Sequence, residues 1–390
     1  MIKAYKYRIY PTEAQKTRFE NQFSMCRHLY NWFLLERKET YEQEEKTVTY
    51  YEQQDKLPDL KKERPWFKDV HSQALQDVLK RLDKAFQAFF RRVKEGGEKP
   101  GYPKLKKKGQ WNSITFPQKI EVPKNGLLQL PKKFTDIKIQ YHREIPENAK
   151  VKTVTIIKEG GKWYSSFSVE IEIFPELKQD IKKLTGLDLG LIYFFKNAEN
   201  EEVYAPRLLR KSLLGLKRLQ RRLSKAKKRT KKYYKILRSL QKMHVKVKNQ
   251  RKDFLHKTAN ELLKKFDYIV LEKLNIRNMI RRPKPKQDEE GRFLPNRASQ
   301  KAGLNMSISD VGWGTFVLML KYKAKELGKT IIEVDPRYTS QICSECGEKV
   351  KKSLSTRTHA CPNCEVVLDR DHNAAINIMR LGMQSLGVNP

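Results

Sequence analysis

The chain has 390 residues, a length that exceeds one ordinary hydrophobic core and predicts two or three domains. Apolar residues make up 38% of it and aromatic residues 10%, which excludes wholesale disorder. Lys and Arg number 82 against 45 Asp and Glu, so the formal net charge is +37. A compact chain with this excess repels itself unless a polyanion neutralises it, which favours nucleic acid over a membrane surface as the partner.

The N-terminal residues 1–10 alternate like a β-strand and contain no apolar signal sequence. No apolar run approaches membrane-spanning length, so we expect a cytoplasmic protein that has no membrane partner and keeps its thiols reduced. Thr12 and Gln15 have the spacing of a capping box and predict the start of a long helix. A second helix is predicted over about 71–94, with one apolar face formed by Leu75, Leu79, Leu82, Phe86, Phe89 and Phe90.

The pattern changes beyond the Gly- and Pro-rich segment 96–103. Residues 111–178 contain short alternating runs separated by turns. They predict an antiparallel barrel or sheet, interrupted after its first strand by the helices of 11–100. Residues 277–304 are polar and predict a mobile loop. The other predicted elements are buried strands at 184–196 (turning at Gly190), 266–272 and 330–334, and helices at 207–264 and 313–327.

Four cysteines near the C-terminus form two C-x-x-C pairs, Cys343 with Cys346 and Cys361 with Cys364. Pairs of this kind, separated by a short loop, are typical of a zinc ribbon. Four thiolate ligands leave no open coordination position, so the predicted Zn²⁺ is structural. A redox pair is the alternative, and a reducing compartment disfavours it.

Two histidines and the fifth cysteine are the remaining candidates for metal ligands or reactive thiols. His359 and His372 are spare ligands close to the cysteines, and we expect them to be bystanders. The fifth cysteine, Cys26, lies in a helical pattern among apolar residues. We interpret it as a small buried hydrophobe.

Three carboxylates, Asp188, Glu272 and Asp371, stand where a predicted strand ends or a helix begins. Ligand sites in open α/β sheets form at the carboxyl ends of strands, and Asp and Glu oxygens suit Mg²⁺ or Mn²⁺. Several carboxylates are needed to hold the two cations that hydrolyse a phosphodiester. Each acid alone also fits a turn former or a helix cap, and Asp369 and Asp310 are rival candidates.

The stretch from Arg207 to Lys257 carries about twenty basic residues against one acid, with Tyr233 and Tyr234 among them. A merely solvated helix face would not need this imbalance. The stretch is therefore predicted to follow the phosphates of a nucleic acid. The sequence has no Walker loop and no H-E-x-x-H motif, which disfavours ATP-dependent and metalloprotease chemistry.

Several segments, in order along nearly the whole chain, resemble those of the TnpB family of transposon-encoded, RNA-guided DNA nucleases. The resemblance implies a RuvC-like, RNase H-type nuclease domain with catalytic, magnesium-binding acids at Asp188, Glu272 and Asp371. The chain departs from the family in a longer 277–304 loop and in a short tail after Asn377. The matching blocks are Tyr7-Arg-Ile-Tyr-Pro11, Gly186-Leu-Asp-Leu-Gly190, Phe254-Leu-His-Lys257, Ile269-Val-Leu-Glu-Lys-Leu274, Ser307-Ile-Ser-Asp-Val-Gly-Trp313, Thr339-Ser-Gln341 and Asp369-Arg-Asp-His-Asn-Ala-Ala375.

The resemblance also implies an α+β multidomain architecture with defined boundaries. An N-terminal, wedge-like β-barrel (1–10 and 105–180) is interrupted by a helical recognition lobe (11–104). A RuvC-like nuclease domain (181–342 and 365–390) follows and carries the zinc ribbon as an insertion (343–364).

The implied partners are a non-coding, transposon-derived guide RNA and a double-stranded DNA target that is cut beside a short motif. The protein is expected to act as a monomer with its RNA. Four residues stand at positions that match motif-reading residues of the family: Tyr50, Gln54, Ser72 and Gln76. Their amides and hydroxyls suit base edges, although each also fits a helix cap or a helix surface.

Two other functions remain open. An RNA-guided repressor of the same ancestry would bind DNA without cutting it and should have lost at least one of the three acids, all of which are present here. A transposase that acts without RNA would need a tyrosine or carboxylate site together with end-recognition elements, which the sequence does not show.

Overall fold

The structure is a computed structural model that describes residues 1–96, 100–118, 120–132, 134–172, 183–353 and 356–388. The chain divides into two compact units, Met1–Ile173 and Phe174–Pro390. In the described ranges, no helix has both the length and the apolar character that a bilayer crossing needs. The predicted break at 96–103 falls partly on residues outside these ranges, and the predicted boundary between 180 and 181 falls wholly outside them.

The first unit has one antiparallel sheet, with all of its described helices inserted between the first and second strands, as the sequence predicts. The strand order is β2-β5-β6-β1-β4-β3, so the N-terminal strand lies inside the sheet. The elements are β1 (Ile2–Tyr10), α1 (Glu13–Glu44), α2 (Tyr50–Asp55), α3 (Leu57–Glu63), a 3₁₀ helix (Pro65–Asp69), α4 (Ser72–Lys94), β2 (Ser113–Phe116), β3 (Leu127–Leu130), β4 (Phe134–Gln140), β5 (Lys150–Glu159) and β6 (Lys162–Glu170).

Helix α1 begins with the predicted capping box. Thr12 Oγ1 accepts a hydrogen bond from Gln15 N, and Gln15 Oε1 accepts one from Thr12 N. The helix packs on the sheet through Phe19, whose ring stacks on that of Phe134 at a centroid distance of 4.0 Å. The predicted helix at 71–94 is confirmed as α4, although Phe90 is exposed rather than part of the buried face.

The second unit has a five-stranded mixed sheet in the order β13-β10-β7-β8-β9, in which β13, β10 and β7 are parallel. The three predicted strands are confirmed, the first as the antiparallel pair β7 and β8 joined by a turn that contains Gly190. The elements are β7 (Leu184–Asp188), β8 (Tyr193–Asn197), β9 (Glu202–Tyr204), α5 (Leu208–Lys225), α6 (Lys231–Lys265), β10 (Tyr268–Glu272), α7 (Ile276–Met279), β11 (Lys286–Gln287), β12 (Phe293–Leu294), α8 (Ala298–Val311), α9 (Trp313–Glu326), β13 (Thr330–Val334), β14 (Thr358–Ala360), β15 (Val367–Asp369) and α10 (Arg370–Ser385).

Helices cover both faces of this sheet, which explains why its central strands are continuous apolar runs. On one face, Ile269 and Leu271 of β10 belong to a core with residues of α6 and α9. On the other face, Val270 packs with Ile378 of α10. Helix α10 therefore lies against the sheet on the side opposite α6 and α9.

The segment 277–304, which the sequence predicts to be a mobile loop, contains secondary structure that was not predicted. The segment contains most of α7, the hairpin of β11 and β12, and the first residues of α8. Composition hides these elements because the hairpin has only two residues per strand. In α8, burial is confined to Ile308, Asp310 and Val311, so the helix has no long apolar stripe to reveal it.

Candidate functional site

Asp188 and Glu272 end two neighbouring parallel strands, β7 and β10, and the residues just before them, Leu187 and Leu271, are paired in the sheet register. Side chains alternate between the two faces of a strand, so Glu272 shares the face of Val270, which packs on α10. Asp188 shares the face of Gly186, which lies against the backbone of α10. Both acids are therefore on the side of the sheet that α10 covers.

Helix α10 can lie this close because two glycines make room for it. A Cβ atom at Gly186 would be 2.2 Å from the carbonyl oxygen of Ala375. A Cβ atom at Gly382 would be 2.2 Å from Cγ2 of Val270. Neither position accepts a side chain unless its neighbours move, since non-bonded heavy atoms prefer about 3.5–4.0 Å. The absence of a side chain at these two glycines lets α10 pack directly against the strands that carry the acids.

The N-terminus of α10 supplies the third acid. Asp369 caps the helix, because its Oδ1 accepts hydrogen bonds from the backbone N–H groups of Asp371 and His372 at 3.0 and 3.1 Å. Asp371 is only 9% exposed. Its carboxylate pairs with Arg370 at 2.9 Å and with Arg357 at 3.3 Å. The alternative in which Asp371 is itself the helix cap is therefore wrong.

The three acids are close enough to affect one another. Burial raises the pKa of Asp188 well above its usual range, and the negative charges of Glu272 and Asp371 raise it further. Burial also raises the pKa of Glu272, against the opposing effect of the hydrogen bond that Thr339 Oγ1 donates at 2.6 Å. However, the carboxylate oxygens of Asp188, Glu272 and Asp371 do not all lie within 4.8 Å of one another. The acids converge on one region without forming a closed set of ligands.

A buried lysine accompanies the acids on the adjacent strand. Lys196 of β8 pairs directly with Asp188 in the sheet register and is 7% exposed. Its Nζ lies 3.3 Å from Asp369 Oδ1 and 3.4 Å from Glu202 Oε2. Because an unpaired buried ammonium is costly, these contacts help fasten the start of α10 to β8. Sequence patterning gives no signal for this role, since a lysine in a short strand is usually solvated.

Asp310, a rival candidate for a catalytic acid, is used elsewhere. Its carboxylate accepts hydrogen bonds from the backbone N–H groups of Leu209 and Arg210, where α5 begins. Arg251 of α6 donates a further hydrogen bond at 2.8 Å. Asp310 therefore neutralises a helix N-terminus and ties α8 to α5 and α6. Both rivals, Asp310 and Asp369, have structural partners that account for them.

The four cysteines form the only cluster among the described residues in which three or more His, Cys, Asp or Glu ligand atoms lie within 4.8 Å of one another. The sulfur atoms of Cys343 and Cys364 are 3.6 Å apart, and those of Cys346 and Cys361 are 3.5 Å apart. Sulfurs bound at about 2.3 Å to one tetrahedral Zn²⁺ would stand roughly 3.8 Å from each other. The cluster therefore fits a structural zinc site.

Two asparagines of α10 join this cluster to the acid site. Asn373 Oδ1 accepts a hydrogen bond from Ser344 N at 2.9 Å, and its Nδ2 donates to the Ile342 carbonyl at 2.8 Å. Asn377 Nδ2 donates to the carbonyls of Ile342 and Thr339 at 2.7 and 2.9 Å. These contacts fix the first cysteine turn to the helix that begins at the acids. Neither asparagine was predicted from the sequence to have this role, although their spacing of four residues places them on one helix face.

The two spare histidines lie outside the sulfur cluster. His359 is buried beside Lys352, with which its ring nitrogen makes a short contact. His372 Nε2 donates a hydrogen bond to the Ala198 carbonyl at 3.0 Å. Cys26 is fully buried, as expected, and burial raises the pKa of its thiol to about 12.

In the first unit, three of the four predicted motif-reading residues line one open cavity of about 370 Å³. Gln54, Ser72 and Gln76 meet there, whereas Tyr50 is not part of the lining. Lys61 also lines the cavity, and its Nζ donates a hydrogen bond to Ser72 Oγ at 2.7 Å. Lys61 was not predicted from the sequence, because a lysine in a short helix is ordinarily a surface residue.

The basic stretch forms helices α5 and α6, which pack on each other. Of the basic residues from Arg207 to Lys257, all but Arg251 are exposed. Only Leu216 is buried in α5, so this helix presents most of its surface to solvent. The structure thus offers a long cationic surface that has few acidic neighbours in sequence.

Three family profiles match the chain. A "Helix-turn-helix domain" matches residues 1–46, a "Probable transposase" domain matches 166–282, and a "Cas12f1-like, TNB domain" matches 313–378. The first of these segments folds here as strand β1 followed by one continuous helix, α1. The third includes the four cysteines and the start of α10.

Full-length relatives point to the same family. The chain is 31% identical to the "Putative RNA-guided DNA endonuclease InsQ" of Escherichia coli (strain K12), over 98% of this chain and 92% of that one. It is 29% identical to a "Putative RNA-guided DNA endonuclease" of Streptomyces pristinaespiralis, over 98% and 89%. A solved Cas12f1–sgRNA–target DNA complex shares the fold at TM-score 0.53 and 15% identity, over 94% and 83%. The chain belongs to the TnpB/IS605 family.

Proposed function

We propose that the protein is an RNA-guided, metal-dependent endonuclease of an insertion sequence, which hydrolyses double-stranded DNA beside a short motif. The observation that carries this proposal is the convergence of Asp188, Glu272 and Asp371 on the side of the second-unit sheet covered by α10. The relatives named as RNA-guided DNA endonucleases support the same activity. We assign the second unit to the RuvC-like, RNase H-type class on this basis.

The acids fit Mg²⁺ or Mn²⁺ because carboxylate oxygens are the ligands that these ions prefer. Burial, and after it the negative charges of Glu272 and Asp371, raise the pKa of Asp188, and a divalent cation bound there would favour the ionised carboxylates. Two bound cations would activate water and stabilise the leaving oxygen during hydrolysis. The chain's own contribution is to hold the carboxylates in place: β7 and β10 fix Asp188 and Glu272, and the capped start of α10 fixes Asp371.

The cysteine cluster is proposed to be a zinc ribbon with a structural ion. A closed four-thiolate site of this kind supplies folding free energy to a short segment. Asn373 and Asn377 extend that order to α10, because they bind the backbone at Ile342 and Ser344. Zinc at Cys343, Cys346, Cys361 and Cys364 would thus position Asp371 without taking part in catalysis.

Guide RNA and target DNA are the proposed partners, because the solved Cas12f1 protein that shares this fold is held in a complex with sgRNA and target DNA. The exposed cations of α5 and α6 would bind phosphates of the nucleic acid. In the first unit, we propose that residues 11–104 form a recognition lobe and that 1–10 with 105–180 form a barrel-like domain. The cavity lined by Gln54, Ser72 and Gln76, with Tyr50 nearby in α2, would read the duplex motif. We expect a cytoplasmic monomer with its RNA.

The test pairs Asp188→Asn with Asp335→Asn as a matched control. Asp335 is exposed and follows β13, the third parallel strand. Each protein is purified with its RNA, the RNA is sequenced, and Mg²⁺-dependent cutting of a matching duplex is measured together with binding. Asp188→Asn should cut at least about 100-fold more slowly and bind normally, because several kcal/mol of charge stabilisation are lost. Asp335→Asn should resemble the parent. Normal cutting by Asp188→Asn, or a parent that binds but never cuts, would contradict the proposed nuclease.

A further inference from the structure

The tryptophans of this chain divide sharply by exposure. Of the five, Trp111, Trp163 and Trp313 are at most 9% exposed and belong to hydrophobic cores. Trp32 of α1 and Trp66 of the 3₁₀ helix are 41% and 38% exposed. Large indole rings are seldom left this open without a partner, because each offers a wide apolar face to water.

The two exposed tryptophans belong to one aromatic surface, which we call the Trp32–Trp66 platform. The ring of His28 lies 6.3 Å from that of Trp32 and 5.4 Å from that of Trp66. The Arg64 guanidinium lies 4.0 Å from the centre of the Trp32 ring. The Trp66 ring packs against the ring of the buried Phe67, at 3.9 Å between ring centres. The platform therefore contains two indoles, an imidazole and a stacked guanidinium.

Polar contacts hold the platform in this arrangement. Arg64 Nη1 donates a hydrogen bond to His28 Nε2 at 2.8 Å, which requires a neutral imidazole. Burial, with Arg64 and Arg27, lowers the pKa of His28 and favours that neutral form. The contact with His28 restrains the guanidinium next to the Trp32 ring. Little side-chain entropy would then be lost when a flat ligand stacks there.

A basic loop is fastened beside the platform. Asn31, next to Trp32 in α1, donates from Nδ2 to the Lys106 carbonyl at 3.0 Å and accepts from Lys106 N at 2.8 Å. The loop carries the exposed cations Lys104, Lys107 and Lys108. Aromatic rings that stack on bases, next to cations that bind phosphates, are the combination by which proteins hold unpaired nucleotides. A protein partner with an apolar face would not need these charges.

We propose that the Trp32–Trp66 platform binds unpaired nucleotides of RNA by stacking their bases on its rings, while the 104–108 loop contacts the adjacent phosphates. RNA fits better than duplex DNA, since the faces of paired bases are covered by their neighbours in the stack. The inference rests on the proposed function for the presence of an RNA. It extends that function by assigning RNA contacts to the first unit, outside both the acid site and the cavity at Gln54 and Gln76.

The experiment uses the full chain with its zinc, stripped of nucleic acid at high salt and assayed without added Mg²⁺ or Mn²⁺, so that binding is measured without cutting. The probes are fluorescently labelled 12-mers of oligo(U) and oligo(dT), and a 12-base-pair DNA duplex. The variants are Trp32→Ala and Trp66→Ala. Tyr41→Ala is the matched control, because Tyr41 is also on α1 and is 60% exposed. Quenching of tryptophan fluorescence is a second readout, since the other three indoles are buried.

Each tryptophan variant should bind oligo(U) about 5-fold to 150-fold more weakly, the loss expected when one stacked base is removed. The salt dependence of binding should keep its slope, because no phosphate contact is lost. Tyr41→Ala should match the parent, and oligo(U) should quench parent fluorescence more than that of either variant. Oligo(U) affinity within twofold of the parent, equal loss of duplex affinity, or a loss confined to oligo(dT) would overturn the assignment. Failure here would leave cutting by the acids untouched.

Discussion

Replacing Gly186 by Ala should separate α10 from the sheet and uncouple the acids. Gly186 lies in β7, two residues before Asp188, and backbone atoms of α10 pack directly against it. An added Cβ would be 2.2 Å from the Ala375 carbonyl oxygen and 2.5 Å from Met379 N. Both are backbone atoms of α10, so no side chain can turn aside to accommodate the methyl group.

The size of the effect follows from these distances. Because non-bonded heavy atoms prefer about 3.5–4.0 Å, α10 must retreat from β7 by roughly 1 Å or more. Overpacking of this kind costs about 1–3 kcal/mol of unfolding free energy. Asp371 moves with α10 while Asp188 stays on β7. A shift of about 1 Å in catalytic geometry can reduce the rate roughly 100-fold. Cutting should therefore fall roughly 100-fold, while a protein with an unfolding free energy of about 5–15 kcal/mol stays mostly folded.

The assay compares Gly186→Ala with Gly303→Ala by chemical denaturation, guide and target binding, and Mg²⁺-dependent cutting. Gly303 is a suitable control because it lies in α8 with nothing within 4 Å of its added Cβ. Ala there should be neutral or stabilise by about 0.5–1 kcal/mol. Unchanged stability and cutting in Gly186→Ala would refute the close contact of α10 with β7.

Three other predictions concern the zinc site, its link to α10 and the basic helices. Cys361→Ser should lower zinc content, measured by plasma mass spectrometry, together with solubility, whereas Cys26→Ala should keep its zinc; equal zinc in both would argue against the ribbon. Asn373→Ala should lower the free energy of unfolding by about 1–3 kcal/mol, because it leaves the buried Ser344 N–H without an acceptor. It should also slow cutting while zinc is retained, and wild-type cutting would show that the link is dispensable. Affinity for RNA should fall steeply with salt, and replacing Lys231, Lys232 and Lys235 by Gln should reduce the slope of that dependence by about 2–3; an identical slope would place the RNA elsewhere.

Local patterns in the sequence were enough to predict many of the helices and strands. Some features depend only on residues that are neighbours in sequence, so one short segment is enough to predict them. Examples are the capping box at Thr12 and Gln15 and the apolar runs of β7, β10 and β13. The C-x-x-C pairs are equally local, and the structure brings all four sulfurs together. The order of the strands in the second sheet could not be read in this way, because it depends on contacts far apart in sequence.

What the sequence did not reveal depends on tertiary contacts. Gly186 marks a close approach of α10, a role that differs from the turn suggested by Gly190 nearby. Asp310 resembled a catalytic acid, yet its partners Leu209 and Arg251 are about a hundred and about sixty residues away along the chain. Helix α8 was not predicted because only Ile308, Asp310 and Val311 are buried in it, and these residues form no long apolar stripe. The role of Lys196 was not predicted, since its burial depends on Asp369.

Anomalous diffraction from crystals soaked in Mn²⁺ tests most directly whether Asp188, Glu272 and Asp371 form one metal site. We predict at least one strong peak between β7, β10 and α10, with oxygens of all three carboxylates at about 2.0–2.3 Å. The peak should disappear in Asp188→Asn and persist in Asp335→Asn. Manganese bound elsewhere, or a saturated crystal in which the three acids share no ion, would contradict the site on which the proposed function depends.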